Sequence, residues 1–171
     1  DADAIFKSEA FQRHCSDKDV DLEYASPGDQ FFNGKVEHLI GVMKIKMHTV
    51  LKASGLGMDY WSEALEYCVY TYNRLPSKAN PLNCSPYQMY HGKLPHLGHL
   101  RGFGCTCTYW VEGSMSKGTG HDGIFLGYTK QSPRGTYHIA VKGKRKGTRV
   151  DSAHVTFDEY QIMPKFVDKT K

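Results

Sequence analysis

Asn33-Gly34-Lys35-Val36-Glu37 is the stretch whose reading decides the fold. From Val36 the apolar residues fall at 36, 39, 40, 43, 47, 50 and 51, the spacing of a helix with one buried stripe, and Ser54-Gly55 stops it. The Ser26-Pro27-Gly28-Asp29 breaker lies just upstream. Glu37 therefore sits on the first turn of a long helix, where the helix dipole favours a carboxylate. Glu37, Gly41, Lys44 and His48 share another face. Gly41 costs the helix about 1 kcal/mol against alanine, which points to a group that needs close approach there. Residues 2 to 36, a gap of 35, separate Asp1 from Glu37. A carboxylate after a strand and another on a helix's first turn can share a divalent metal. Taken alone, the spacing favours the plainer reading of a terminal acid and a dipole-stabilised glutamate.

Working outward, residues 1–6 read as the end of a strand. Ser8 caps a short helix from Glu9 to about Cys15, and Val20–Tyr24 alternates with the period of a half-buried strand. Beyond the long helix, Asp59 reads as the cap of a second one running to about Asn73. It carries Trp61, Leu65, Cys68, Val69 and Tyr72 as a core face, and Pro76 ends it. Ser85-Pro86 opens a short helix that Gly92 closes. After Pro95 the pattern changes. Phe103–Val111, Gly123–Tyr128, Thr136–Val141 and Thr148–Phe157 are short β-like runs between turn residues, as in a small barrel or meander. The last residues, 161–171, read as a polar tail.

Composition is that of a globular protein, 40% hydrophobic and 23% charged, with no apolar run approaching the ~20 residues of a membrane span. Membrane partners are therefore not expected. Cysteines 15, 68, 84, 105 and 107 are odd in number and lack a Cys-x-x-Cys pair, which reads as reduced thiols in an intracellular protein. Cys105 and Cys107 fall on one strand face as small buried residues. The nine histidines show no zinc spacing. Charge is uneven. Residues 1–100 hold 10 Lys+Arg against 12 Asp+Glu, and residues 101–171 hold 12 against 6, so the basic excess and a polyanion partner belong to the second part. Lys142-Gly143-Lys144-Arg145-Lys146, with Arg149, is the densest basic run. Gripping DNA phosphates or serving as an import signal stands level with being a solvated hairpin tip. Tyr109, Trp110, Tyr128 and Tyr137 read as barrel core before base-stacking groups.

The order Asn33-Gly34-x-x-Glu37, Leu56-x-x-x-x-Trp61-x-Glu63-Ala64, Asn73-Arg74, Ser85-Pro86-Tyr87, Gly92-Lys93-x-Pro95 and Leu100-Arg101-x-Phe103-Gly104-Cys105 resembles copia-type retrotransposon integrase. Gly123-Ile124-Phe125-Leu126-Gly127-Tyr128 and Val155-Thr156-Phe157-Asp158-Glu159 continue the resemblance to about residue 159. It implies an α/β fold: a truncated RNase H-like core, mostly helical here, over residues 1–92, followed by a small all-β SH3-like barrel over residues 97–160. It also implies an active site of two aspartates and a glutamate holding two Mg²⁺ (or Mn²⁺), with Asp1 as the second aspartate and Glu37 as the glutamate. The first aspartate would lie upstream, so the chain is read as a fragment that does not catalyse or hold the metal tightly by itself.

The resemblance further implies DNA as partner, both element ends and target. Asn33, Gly34, Lys35 and Lys44 would lie near that DNA, and the basic run with Arg149 is the other candidate contact. Homo-oligomerisation of the parent enzyme and a nuclear location, with cytoplasmic virus-like particles, follow from the same family. The sequence departs from the family at Asp1-Ala2-Asp3, Gln30-Phe31-Phe32, His38 and Ile40, in the loop and helix face nearest DNA. The rival reading is a non-catalytic nucleic-acid or protein interaction module from a decayed or co-opted element.

Overall fold

The computed structural model describes residues 4–24, 34–110, 120–129, 135–141 and 148–161. The chain forms two compact units, residues 1–42 and 43–171. In the first, Ser8 opens helix α1 (Glu9–Ser16): its Oγ accepts from the Phe11 N–H at 3.3 Å, satisfying one of the free donors of the first turn. Phe11 meets Phe6 edge-on with centroids 5.3 Å apart, and Tyr24 Oη donates to the Phe6 carbonyl at 2.7 Å. Two expectations fail here. Residues 4–7 form turns, and Val20–Tyr24 belongs to no sheet among the described residues. A period-two pattern becomes a strand only when a neighbour completes its hydrogen bonds, and among the described residues none does.

Helix α2 spans Gly34–Ser54. Its stripe is buried only in part: Met43, Met47 and Leu51 are covered, whereas Val36, at 58% exposure, Leu39 and Ile40 face solvent. The covered half lies where helix α3 (Trp61–Arg74) and the sheet pack on it. A Cβ added at Gly41 meets nothing within 4 Å, so no described group approaches it closely.

A 3₁₀ turn, Met58–Tyr60, precedes α3 and takes Asp59 into its first turn, so Tyr60 and not Asp59 occupies the cap position. Ala64 and Cys68 point into the core, and Trp61 and Val69 remain outside. Ala64 is fully buried where α3 meets the sheet, and Leu65 and Tyr67 of the same helix pack around it. Leu75 is extended before Pro76, whose ring disfavours helix in its predecessor. Helix α4 (Pro86–His91) begins at Ser85, whose Oγ accepts from the Gln88 N–H at 3.1 Å, and ends at left-handed Gly92.

Five antiparallel strands follow: β1 (Thr106–Tyr109), β2 (His121–Tyr128), β3 (Tyr137–Val141), β4 (Arg149–Ser152) and β5 (Val155–Asp158), in the order β4-β3-β2-β1-β5. The run 148–157 splits in two because Ser152 turns the chain. Its Oγ donates to the Trp110 carbonyl at 2.7 Å, and the Trp110 N–H donates to the His154 carbonyl at 3.1 Å. β5 can then pair with β1, Thr106 opposite Asp158.

Each face of β2 is buried. Leu126, with Ile124 and Ala140, packs against Met47, Leu51 and Ala64 of the helices. Phe125 and Ile139 face the other way, among Cys105, Cys107 and Tyr109. Phe125 and Leu126, neighbours in the strand, point to opposite faces and are both fully buried, and the pairing with β3 shifts register between Phe125 and Gly127. Tyr67 of α3 touches both clusters.

Candidate nucleic-acid interface

The first turn of α2 carries Gly34, Lys35 and Glu37 together, and Lys44 follows two turns later on the same helix. Lys35, Glu37, His38 and Lys44 are all exposed. Among the described residues no group of three or more His, Cys, Asp or Glu side chains is placed to hold a metal ion. Asp1, Asn33, Lys142, Lys144, Arg145 and Lys146 lie outside the described residues, as do 162–171 of the expected tail.

Arg149, at the start of β4, is engaged within the molecule. Its guanidinium forms an ion pair with Glu63 of α3 and lies 5.9 Å from the centre of the Tyr60 ring. That pairing fastens β4 to the start of α3. His138 Nδ1 on β3 lies against the carboxylate of Asp151, its register partner on β4.

Of the four aromatic residues singled out in the sheet, Tyr109 is buried and Tyr137 rests edge-on against Phe157 at 4.9 Å. Tyr128 stacks on Tyr70 at 4.2 Å, and its Oη accepts the Arg101 N–H at 2.9 Å. All five cysteines are free thiols. Burial pushes Cys105 and Cys107 up to about 12, which keeps both as neutral packing groups.

A cluster that sequence reasoning missed surrounds Tyr70. The Arg74 guanidinium covers the Tyr70 ring at 3.4 Å and lies 5.2 Å from the Tyr87 ring. Tyr70 Oη hydrogen-bonds His99 Nε2 at 2.7 Å, and His99 Nδ1 reaches His96 Nδ1 at 3.3 Å. Burial lowers the His99 pKa, and Arg74, His96 and Arg101 lower it further. The nearness of His91, His96 and His99 in sequence was the one available signal.

The sign of the resulting pH effect follows from linkage. The unfolded chain, titrating near the ordinary 6.5, takes up the proton before the folded one does. His99 thus leaves stability intact above that pH and withdraws it as the pH falls through 6.5 toward the lower folded value. His99→Gln is expected to flatten this part of the profile. A denaturation midpoint with unchanged pH dependence between 7.5 and 5 in the variant would remove His99 as its source.

No protein-family model matches the chain. Among curated proteins it is similar to a retrovirus-related Pol polyprotein from transposon TNT 1-94 of Nicotiana tabacum, 28% identical over 100 residues, covering 58% of this chain and 8% of that protein. It is also similar to retrovirus-related Pol polyproteins from transposons RE2 and RE1 of Arabidopsis thaliana. Each is 32% identical over 115 residues, covering 65% of this chain, with 8% of the first and 7% of the second spanned. The chain thus spans less than a tenth of the length of these relatives, and its similarity is to a stretch of retrotransposon Pol polyprotein.

Proposed function

We propose that this chain is a fragment of a copia-type integrase, the part of a Pol polyprotein that processes element DNA ends and joins them to target DNA. The carrying observation is the similarity to three Pol polyproteins of plant transposons, joined to the order of motifs from Asn33 to Glu159. The arrangement of elements supports it. The regular elements of residues 1–92 are helices among the described residues, which agrees with the mostly helical part of the reading, while the strands expected at 1–6 and 20–24 do not form in what is described. Residues 97–160 hold five antiparallel strands in which β5 pairs with β1, a small all-β sheet of the kind the SH3-like reading calls for, packed on one side against α2 and α3.

In this reading Glu37 is the glutamate of the catalytic triad and Asp1 the second aspartate. Glu37 is exposed on the first turn of α2, where a carboxylate can reach a ligand. Mg²⁺ would be held by Glu37 and Asp1 together with the first aspartate of the parent enzyme, and Asp1 lies outside the described residues. In this reading the metal chemistry belongs to the parent enzyme. Lys35 and Lys44, exposed on the same helix, supply positive charge near DNA phosphates. The basic run 142–146 is a second DNA contact, and a nuclear, self-associating parent goes with the same reading.

The test is a chain extended on the N-terminal side through the strand expected to carry the first aspartate. With Mg²⁺, Glu37→Gln is expected to reduce strand transfer below detection and leave the circular dichroism spectrum unchanged. Strand transfer at the wild-type rate in that variant would sink the assignment of Glu37. Absence of transfer in the unsubstituted chain, with DNA binding retained, would favour the interaction module.

A further inference from the structure

We infer that the surface made by α4 and the segment after it, to Arg101, binds a nucleic-acid strand, holding phosphates at its cations and an unpaired base against its exposed rings. This deepens the DNA-partner reading above and rests on that reading for its biological setting, but not on Glu37 or on any metal. Its first support is a charge pattern. Residues 67–111, 45 in succession, contain no Asp or Glu, yet they hold Arg74, Lys78, Lys93, Arg101 and three histidines. Among the described residues neither Arg74 nor Arg101 has a carboxylate within ion-pair distance, in contrast to Arg149 with Glu63. Arg101 shares a groove with Asp158 and Glu159, so the charge left to an anion from outside is chiefly that of Arg74 and the exposed Lys93.

The second support is geometric. The rings and cations form a continuous series across the surface, in which Tyr90 meets His91 at 4.9 Å and His91 meets Tyr87 at 4.2 Å. Arg74 bridges Tyr87 and Tyr70, and Tyr70 reaches His99 and through it His96. Arg101 closes the series, its guanidinium donating to the Gly98 and Leu100 carbonyls at 3.0 and 2.7 Å. The patch is therefore contiguous, with fixed guanidinium groups at its centre.

The third support selects the partner. Tyr90 is 86% exposed, and His91, Lys93 and His96 are exposed beside it. An acidic peptide would answer the charge but has no use for free planar rings. A nucleic-acid strand uses both, since bases stack on aromatic faces while phosphates meet cations. The open groove across β1, β2 and β5, by comparison, is lined by Asp122 and Asp158 and repels a polyanion.

The experiment uses the intact chain and fluorescence anisotropy with a labelled 15-nucleotide single strand and the matching duplex. Tyr90→Ala is expected to weaken the single strand by roughly 5- to 100-fold and the duplex much less. His91→Ala/Lys93→Ala/His96→Ala is expected to weaken both and to flatten the salt dependence, by a slope of about 0.7 for each single-strand phosphate that is no longer neutralised. Melting temperatures near wild type show that the exposed substitutions keep the fold. Unchanged single-strand affinity in both variants overturns the inference, as does equal affinity for polyglutamate. Lys144→Ala/Arg145→Ala/Lys146→Ala separates the two readings. If all single-strand binding disappears with that run, this surface falls while the DNA partner stands. If the Tyr90 dependence survives, the surface stands by itself.

Discussion

Phe125→Ala is expected to lower the unfolding free energy by about 3–5 kcal/mol, the range for removing a buried aromatic ring. Phe125 is fully buried, and four rings surround it: Tyr128 at 5.2 Å, Phe157 at 5.4 Å, Tyr137 at 5.8 Å and Tyr67 at 6.3 Å. Those neighbours come from β2, β5, β3 and α3, so a cavity there cannot close by the shift of one element. Phe125→Leu keeps most of the volume and is expected to cost less than about 1.5 kcal/mol. Urea denaturation followed by tyrosine fluorescence reads both. Equal midpoints for Phe125→Ala and wild type would show that the ring nest does not hold the sheet to the helix.

Gly104→Ala is expected to destabilise by roughly 2–4 kcal/mol, from two separate causes. The backbone at Gly104 has φ of +79°, in the region where an L-residue's Cβ crowds its own carbonyl. A Cβ there would also lie 2.2 Å from Ser54 Cβ, at the end of α2. The double variant Gly104→Ala/Ser54→Gly removes the clash and leaves the dihedral cost, so it is expected to recover part of the loss and not all. Full recovery would assign everything to the clash; no recovery would assign everything to the backbone.

Helix starts and stops were legible wherever a single side chain acts locally. Ser8 and Ser85 cap as their sequence neighbours demand, and Gly92 and the Leu75-Pro76 step end their helices for reasons internal to a few residues. What failed depended on distant partners. Val20–Tyr24 has the strand alternation, but among the described residues no strand lies beside it. Trp61 is the largest apolar residue of α3, yet it stays half exposed while Ala64, Leu65 and Tyr67 pack inward, a rotation of the helix set by partners elsewhere in the chain. The division of 148–157 into β4 and β5 hangs on a hydrogen bond from Ser152 to Trp110, 42 residues away, which no local pattern announces. Of the candidate site, sequence placed Glu37 and Lys44 on one helix, which begins two residues earlier than read and takes in Gly34 and Lys35 as well. It could not show that Arg149 is held by Glu63, nor that Arg74 lies between two tyrosines, because stacking and ion pairs between elements have no signature along the chain.

The pairing of β5 with β1 has a kinetic consequence. It joins Thr106 to Asp158, so the chain must close a loop of about fifty residues before that ladder gains its first hydrogen bond. β2 and β3, by contrast, meet across a short connection. The order of assembly expected is helices and the β2–β3 hairpin early, β5 last, and the order of opening its reverse. Amide exchange at Val155–Asp158 should therefore outrun that of Phe125 and Ile139. Each such opening bares the edge of β1, so the rate at which β5 leaves sets how often this chain offers a strand to another one.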